Sequence, residues 1–487
     1  MGKRLTSGYT IVVHEVTSTS AKLWIGALSS SIGKPHNWRL VVKRANTANQ
    51  RANESGIEIT TKQYGKDEWQ RPFDKLSKRF YTIKTISNLK PGTHYIVEFQ
   101  IRSEYIWRTA EKVFFTTLPS KLPGKNKKPF TIGIGSCFYT EHDGGDAGQA
   151  YEALYNNEQL RPDIKFLVGD QVYTDIGLGW YPLNESDCQD RIADHYADSW
   201  KYLRSILRRG GSWMISDDHE FWNNYPFFTG FNPYLFTLEH FDAFRRRWKK
   251  AAHTGVSVIQ QAQPVRTFNI GDELSFCIAD CRMERTRSGF LSTQSHQQLV
   301  DWITNLSTPG VLAIPQPLIA GKGNNTDKNL PDWDQYNDII KAIESGNHDI
   351  VVLAGDVHYG RVSQVIVGSS KNKLTEVITS PLSNLSEING IAANTPDLSA
   401  KTFPLVSING MIKNRIKYLA RVTTESKWWD LRYPVERTHE HFMTVAFHRD
   451  SGKIKMDINA WHARELVKRT GLPKKIKNFK VSPIVLN

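Results

Sequence analysis

Four short segments each run out of an apolar stretch into side chains able to hold a metal ion: Gly135-Ser136-Cys137, Gly169-Asp170-Gln171-Val172-Tyr173, Asp217-Asp218-His219-Glu220 and Gly355-Asp356-Val357-His358. Strand-like runs precede them, Phe130 to Ile134, Ile164 to Val168, Trp213 to Ile215 and Ile350 to Leu353. One apolar run that ends in a polar residue is ordinary. Four of them, delivering carboxylate, imidazole, thiolate and phenolate, point to adjacent strand ends converging on a polynuclear metal centre, at the edge where α/β folds gather their ligands. Metal-dependent hydrolysis is the chemistry that such a set serves.

Taken singly, the segments differ in weight. Asp170 and Tyr173 lie three residues apart behind a glycine that lets the backbone turn and project a carboxylate from the sheet edge. A lone Gly-Asp pair reads equally as a plain turn. The run Asp217-Asp218-His219-Glu220 is stronger, because Trp213, Phe221 and Trp222 flank it and ionisable groups buried among aromatics need a metal or hydrogen bonds to offset their desolvation. Asp356 and His358, at i and i+2 after the run Asp349 to Gly355, would leave an extended segment on the same side, one for each of two ions. Cys137 would add a soft thiolate, and its plain reading is a buried structural cysteine.

These segments need elements to position them. Residues 1–119 read as short strands separated by turns without helical periodicity; in Ala21, Leu23 and Ile25 one face is apolar, the signature of a β-sandwich. Leu89-Lys-Pro-Gly-Thr-His-Tyr followed by Phe114-Phe-Thr-Thr-Leu-Pro resembles the later strands of an immunoglobulin or fibronectin type III sandwich. A lysine-, proline- and glycine-rich linker, 120–129, follows. From Phe130 the texture alternates between strands and helices: Gln149 to Tyr155, Cys188 to Arg208, Leu235 to Ala251 and Thr293 to Leu306. Strands over Arg266 to Asp280, His441 to Phe447 and Ile454 to Trp461 have no helix between them. The expected architecture is therefore two mixed sheets packed face to face and flanked by helices over 130–462, with a basic tail at 463–487.

The 487 residues exceed one ordinary core, and 39% hydrophobic with 23% charged residues describe a globular composition. The formal charge of +14 favours anionic partners. Nine of the basic residues, however, sit in Lys125 to Lys128 and Lys468 to Lys480, runs that read as solvated surface. No recognition helix or RNA-binding signature accompanies the charge, so nucleic acid is expected only as a substrate. Four cysteines, Cys137, Cys188, Cys277 and Cys281, form no zinc-ribbon spacing, and Cys277 and Cys281 read as buried small residues. No apolar run of membrane-spanning length occurs and the first ten residues carry no leader, which places the chain in the cytoplasm; a secreted or periplasmic protein whose leader had been removed would read the same.

Together the four motifs, in this order, resemble the PhoD-like alkaline phosphatase and phosphodiesterase family within the calcineurin-like metallophosphoesterases. Ala279-Asp280-Cys-Arg282, Leu291 to Trp302 and Asp332-Trp-Asp-Gln-Tyr336 echo it more weakly. The resemblance implies an α/β metallophosphoesterase fold behind the N-terminal sandwich. It implies an iron(III) ion on Cys137, Asp170, Tyr173 and His358, and one or more divalent ions, calcium foremost and magnesium or manganese next, on a bridging Asp170 with Asp218 and Asp356. It gives His219 the role of meeting the substrate phosphate or protonating the leaving group, and Asn224 and Arg282 orienting or charge-stabilising roles. Phosphate esters are the implied substrates and inorganic phosphate the product. The export leader that many members carry is not visible in the first ten residues, and the basic stretch Asn414 to Arg437 matches nothing in the pattern.

Overall fold

The computed structural model describes residues 8–45, 56–140, 143–176, 182, 184–228, 233–384, 394–424 and 436–487. The first ten residues lie outside these up to Ser7, as does 425–435 of the basic stretch.

The N-terminal region is a two-sheet sandwich of seven strands. Strands β1 (Thr10–Val16), β2 (Ala21–Ala27) and β5 (Phe80–Ile86) form one antiparallel sheet; β4 (Gly56–Gly65), β3 (Asn37–Ala45), β6 (His94–Ser103) and β7 (Ile106–Thr116) form the other. The period-2 pattern does what it predicts: Ala21, Leu23, Ile25 and Ala27 meet Leu40, Val42, Val97 and Phe99 in one core. Strand β4 was not evident in the sequence because, as an exposed edge strand, it has no apolar face.

Two seven-stranded mixed sheets make the second region. One has the order β10 (Gly211–Ile215), β9 (Ile164–Val168), β8 (Phe130–Gly135), β20 (His441–Asp450), β21 (Lys453–Leu466), β22 (Pro473–Lys475), with β23 (Ile484–Leu486) also on β21. The other has the order β11 (Val265–Ile270), β12 (Leu274–Ala279), β13 (Gly310–Ala313), β14 (Ile350–Ala354), β16 (Asn372–Ile378), β15 (Gly360–Val367), β19 (Lys417–Val422). A further two-stranded pair joins β17 (Thr402–Phe403) and β18 (Asn414–Arg415).

The sheets face each other through Ile132, Ile134, Phe166, Val168 and Ile215 on one side and Phe276, Ile278, Val351, Leu353 and Val377 on the other. Alternate residues point outward. Leu167 and Met214 pack on α1 (Asp146–Asn156) and α2 (Glu185–Leu207), and Leu312, Val352 and Ala354 share a core with α5 (Thr293–Thr304) and α6 (Asp334–Ser345). The central strands β13 and β14 are apolar along their length because both faces are covered.

Three expectations change. The single helix over Leu235 to Ala251 is two, α3 (Pro233–His240) and α4 (Asp242–Thr254), broken at the extended Phe241. Leu235 and Leu238 would lie on the face opposite Phe244 and Trp248 in an unbroken helix, and the break lets all four reach the core. The stretch 463–487 is not a free tail: it completes β21 and adds β22 and β23, with Ile476, Phe479 and Ile484 buried between the sheets. Nor does 120–129 span open space, since Leu122 is fully buried and Arg449 donates its backbone N–H to Pro123 at 2.8 Å. Among the described residues no helix is long and apolar enough to cross a membrane.

Candidate metal centre

Strands β8, β9 and β10 are parallel neighbours whose ends align to within one residue, Gly135 with Leu167 and Val168 with Ile215. Their exit loops therefore leave one edge side by side. Strand β14 delivers the fourth loop from the facing sheet, and Gly355 is what lets it close in: a Cβ there would fall 2.5 Å from Ser136 Oγ and 2.9 Å from the Val168 carbonyl. Gly169, at φ +106°, makes the corresponding approach to Asp217, 2.6 Å from where a Cβ would stand.

Beyond these glycines the backbone is left-handed at Cys137, Asp170, Asn224, Asp356 and His358, with φ between +55° and +67°. Non-glycine residues in that region cluster where surrounding structure holds them for a functional purpose. This also corrects the expected extended segment at Asp356–His358. Two left-handed residues, rather than a pleat, turn Asp356 and His358 to different groups of donors.

Ligand atoms of Cys137, Asp170 and His358 lie within 4.8 Å of one another, as do those of Asp170, Asp218 and His219, and those of Asp170, Asp217, Asp218 and Asp356. Asp170 is common to all three. The Tyr173 hydroxyl stands 3.4 Å from Asp170 Oδ2 and Cys137 Sγ stands 3.6 Å from the same oxygen. The structure thus brings together all six sequence-predicted ligands, with His219 beside them.

Burial and the crowd of acids set the protonation. Burial, then the neighbouring Asp218 carboxylate, push the Asp170 carboxyl well above its usual range, and burial does the same for Asp217 against the pull of Arg282. Burial together with Asp170 raises both the Cys137 thiol and the Tyr173 phenol. Burial also disfavours a charged Asp218, but His219, Arg282 and the Asn224 N–H prevail and hold its carboxyl below the usual value.

The arrangement fits metal ions. Asp217 Oδ2 is buried without a hydrogen-bond partner, and acids, thiol and phenol that resist ionising together are what a cation would deprotonate and stabilise. Cys137, Asp170, Tyr173 and His358 make a mixed sulfur, nitrogen and oxygen set, whereas Asp170, Asp217, Asp218 and Asp356 offer only oxygens.

Comparison with solved structures places this architecture. A structure of PhoD superimposes with a TM-score of 0.62 over 99% of this chain and 94% of that chain, at 17% sequence identity. The fold is that of PhoD. A human fibronectin III domain also aligns, covering 26% of this chain and 97% of that one at 14% identity, with a TM-score of 0.15. No family model matches the chain. No curated protein matches it either.

Within this PhoD-like fold, several residues outside the six candidate ligands brace the site. Asp175 Oδ1 lies 2.8 Å from His219 Nδ1, and its other oxygen accepts the Asn223 N–H at 2.9 Å. Burial would lower the His219 pKa, but Asp175, Asp218 and Asp170 outweigh it and raise the imidazole well above its usual range. Glu220, wholly buried, accepts the backbone N–H groups of Asp170, Gln171, Val172 and Asp217 at 3.0, 2.7, 3.2 and 2.8 Å, and the Gln260 amide at 3.0 Å. It ties the β9 loop to the β10 loop. Gln316 donates to Asp356 Oδ2 at 2.8 Å and accepts from Arg285 at 2.7 Å.

Two of the predicted residues hold the loops. Arg282, 3% exposed, pairs with Asp217 and donates to the Tyr225 carbonyl at 2.9 Å. The backbone N–H of Asn224 donates to Asp218 Oδ2. Asp280, in the same weak echo as Arg282, accepts from Ser216, Arg282 and Met283 and fixes the exit of β10.

Proposed function

We propose that this chain hydrolyses phosphomonoesters or phosphodiesters at a two-metal centre. Iron(III) would be held by Cys137, Asp170, Tyr173 and His358, and a divalent ion, calcium foremost, by Asp170, Asp218 and Asp356 with the adjoining Asp217. The observation that carries the reading is that one carboxylate, Asp170, belongs to every group of converging donors. A carboxylate shared in this way could serve both halves of such a centre. The PhoD-like fold supports it.

Cations bound there would supply Lewis-acid charge and would acidify water. The chain's own groups do the rest. His219, kept protonated by the Asp175 carboxylate at Nδ1, presents Nε2 to the leaving-group oxygen and holds the proton that it needs. Arg282 balances Asp217, so that the oxygen-rich half keeps its shape. Asn223 and Glu220 fix the carboxylates and the loops through backbone N–H groups, which resist rotation better than long side chains do. A phosphomonoester would leave as an alcohol and inorganic phosphate, and a phosphodiester as an alcohol and a phosphomonoester; a nucleic acid would be a partner only as a diester substrate.

The test is elemental analysis of the purified protein beside rates on a chromogenic monoester and a chromogenic diester, before and after chelation. Iron with a divalent metal, and hydrolysis that chelator abolishes and metal restores, is the expected result. A fully metallated protein inert to both esters, or one equally active without metal, would overturn the proposal.

A further inference from the structure

The segment that follows β16 straps the sulfur- and phenol-bearing half of the centre. Ser380 Oγ donates to Cys137 Sγ at 3.1 Å and accepts the His358 N–H at 3.1 Å. Its backbone pairs with the β8 loop, Leu382 N to Ser136 O at 2.7 Å and Ser383 N to Cys137 O at 3.3 Å. At its end Asn384, 6% exposed, places its side-chain nitrogen 3.0 Å from the Tyr173 hydroxyl and 3.4 Å from His358 Nε2. The other side of Asn384 is anchored. Its backbone N–H donates to Glu440 Oε1 at 2.9 Å, and Glu440 is gripped by Arg464, which also donates to Ser383 Oγ at 2.8 Å.

We infer that Asn384 is a positioning residue that locks Tyr173 and His358 together as donors to one ion, an inference that rests on the metal-centre reading above. A neutral amide suits the place. Its N–H donates to a phenolate oxygen, which leucine cannot do, while an aspartate of the same size would set negative charge against the phenolate. The anchoring by Glu440 and Arg464, both tied to the sheet that carries Tyr173's own loop, fixes where that N–H points. Groups that orient a metal ligand in this way change metal affinity about 10- to 100-fold when removed.

The experiment compares the parent holoprotein with Asn384→Leu and Asn384→Asp. Its readouts are iron retained through dialysis against a weak chelator and the visible absorption band that a tyrosinate–iron(III) pair produces. Both variants should retain iron about 10- to 100-fold less tightly, and Asn384→Leu should move the band to longer wavelength, since the phenolate loses a hydrogen-bond donor. A parent that holds no iron, or lacks the band, overturns the iron assignment itself and this inference with it. A coloured, iron-bearing parent whose variants match it in both readouts overturns this inference alone. If Asn384→Leu does not fold, Asn384→Asp, which keeps size and polarity, decides through iron retention.

Discussion

Glu220→Ala tests whether the two acidic loops are held by one buried carboxylate. Alanine removes the acceptor of four backbone N–H groups and the Gln260 amide, all in a place without solvent contact. A buried donor left unsatisfied costs about 1–3 kcal/mol. Five losses do not add fully, because a water drawn into the vacated space would satisfy some, so a destabilisation of about 4 kcal/mol is expected against a total stability of about 5–15 kcal/mol. Glu220→Gln, which keeps one carbonyl oxygen and turns an amide N–H toward the remaining donors, should lose about half as much. Urea unfolding of metal-free protein, monitored by fluorescence, reads the difference, and metal content read in parallel should fall because Asp170 and Asp217 lose their common anchor. A Glu220→Ala protein within about 1 kcal/mol of the parent and with undiminished metal would refute the reasoning.

Asp170→Ala should abolish metal binding and turnover, yet leave the metal-free protein at least as stable as its metal-free parent, because it relieves a crowd of acids; denaturant midpoints with metal analysis check both. Asp175→Asn should lower kcat by about 100-fold with metal content unchanged, since His219 loses the carboxylate that keeps its proton; an unaltered rate would exclude His219 as the proton donor. Acid should destabilise the fold through His441 and His14, buried imidazoles whose pKa burial lowers, to about 4 for His441 and well below the usual value for His14. The unfolded chain takes up these protons below about pH 6.5 and the native one does not. Their stabilisation is therefore full above that pH and is lost as pH falls toward 4, at up to about 1.4 kcal/mol per pH unit for each group. Thermal midpoints between pH 4 and 8 measure the slope, and His441→Phe should flatten it.

What the sequence made legible were features with a local signature. The strands before Cys137, Asp170, Asp217 and Asp356 are short apolar runs closed by a polar residue, and their structural bounds differ from the reading by at most two residues. Burial on both faces writes that pattern directly. Residues whose work depends on distant chain were invisible or misread. Glu220 stood in the motif as one more acid, but its partners at 170–172 are fifty positions away. Asn384 has no motif at all and acquires its place only because the strap after β16 crosses the β8 loop. Asp175 could have been found, two residues past Tyr173 in the same loop. The left-handed turns at Asp356 and His358 carry no sequence mark, since neither residue is the glycine that such a backbone favours.

The sandwich and the layered region divide at a lysine-rich connection in the chain, yet they do not divide in packing. Trp24, Leu28, Phe73, Ile96 and Phe114 of the sandwich share one apolar cluster with Leu154, Ile192, Tyr196 and Trp200 of α1 and α2, the helices that cover the sheet of β8, β9 and β10. The N-terminal half is thus a supporting wall and not a detachable cassette. Trimming it away would expose a large oily surface on the helices and invite clumping, and transplanting the layered region onto another scaffold would require that wall to travel with it.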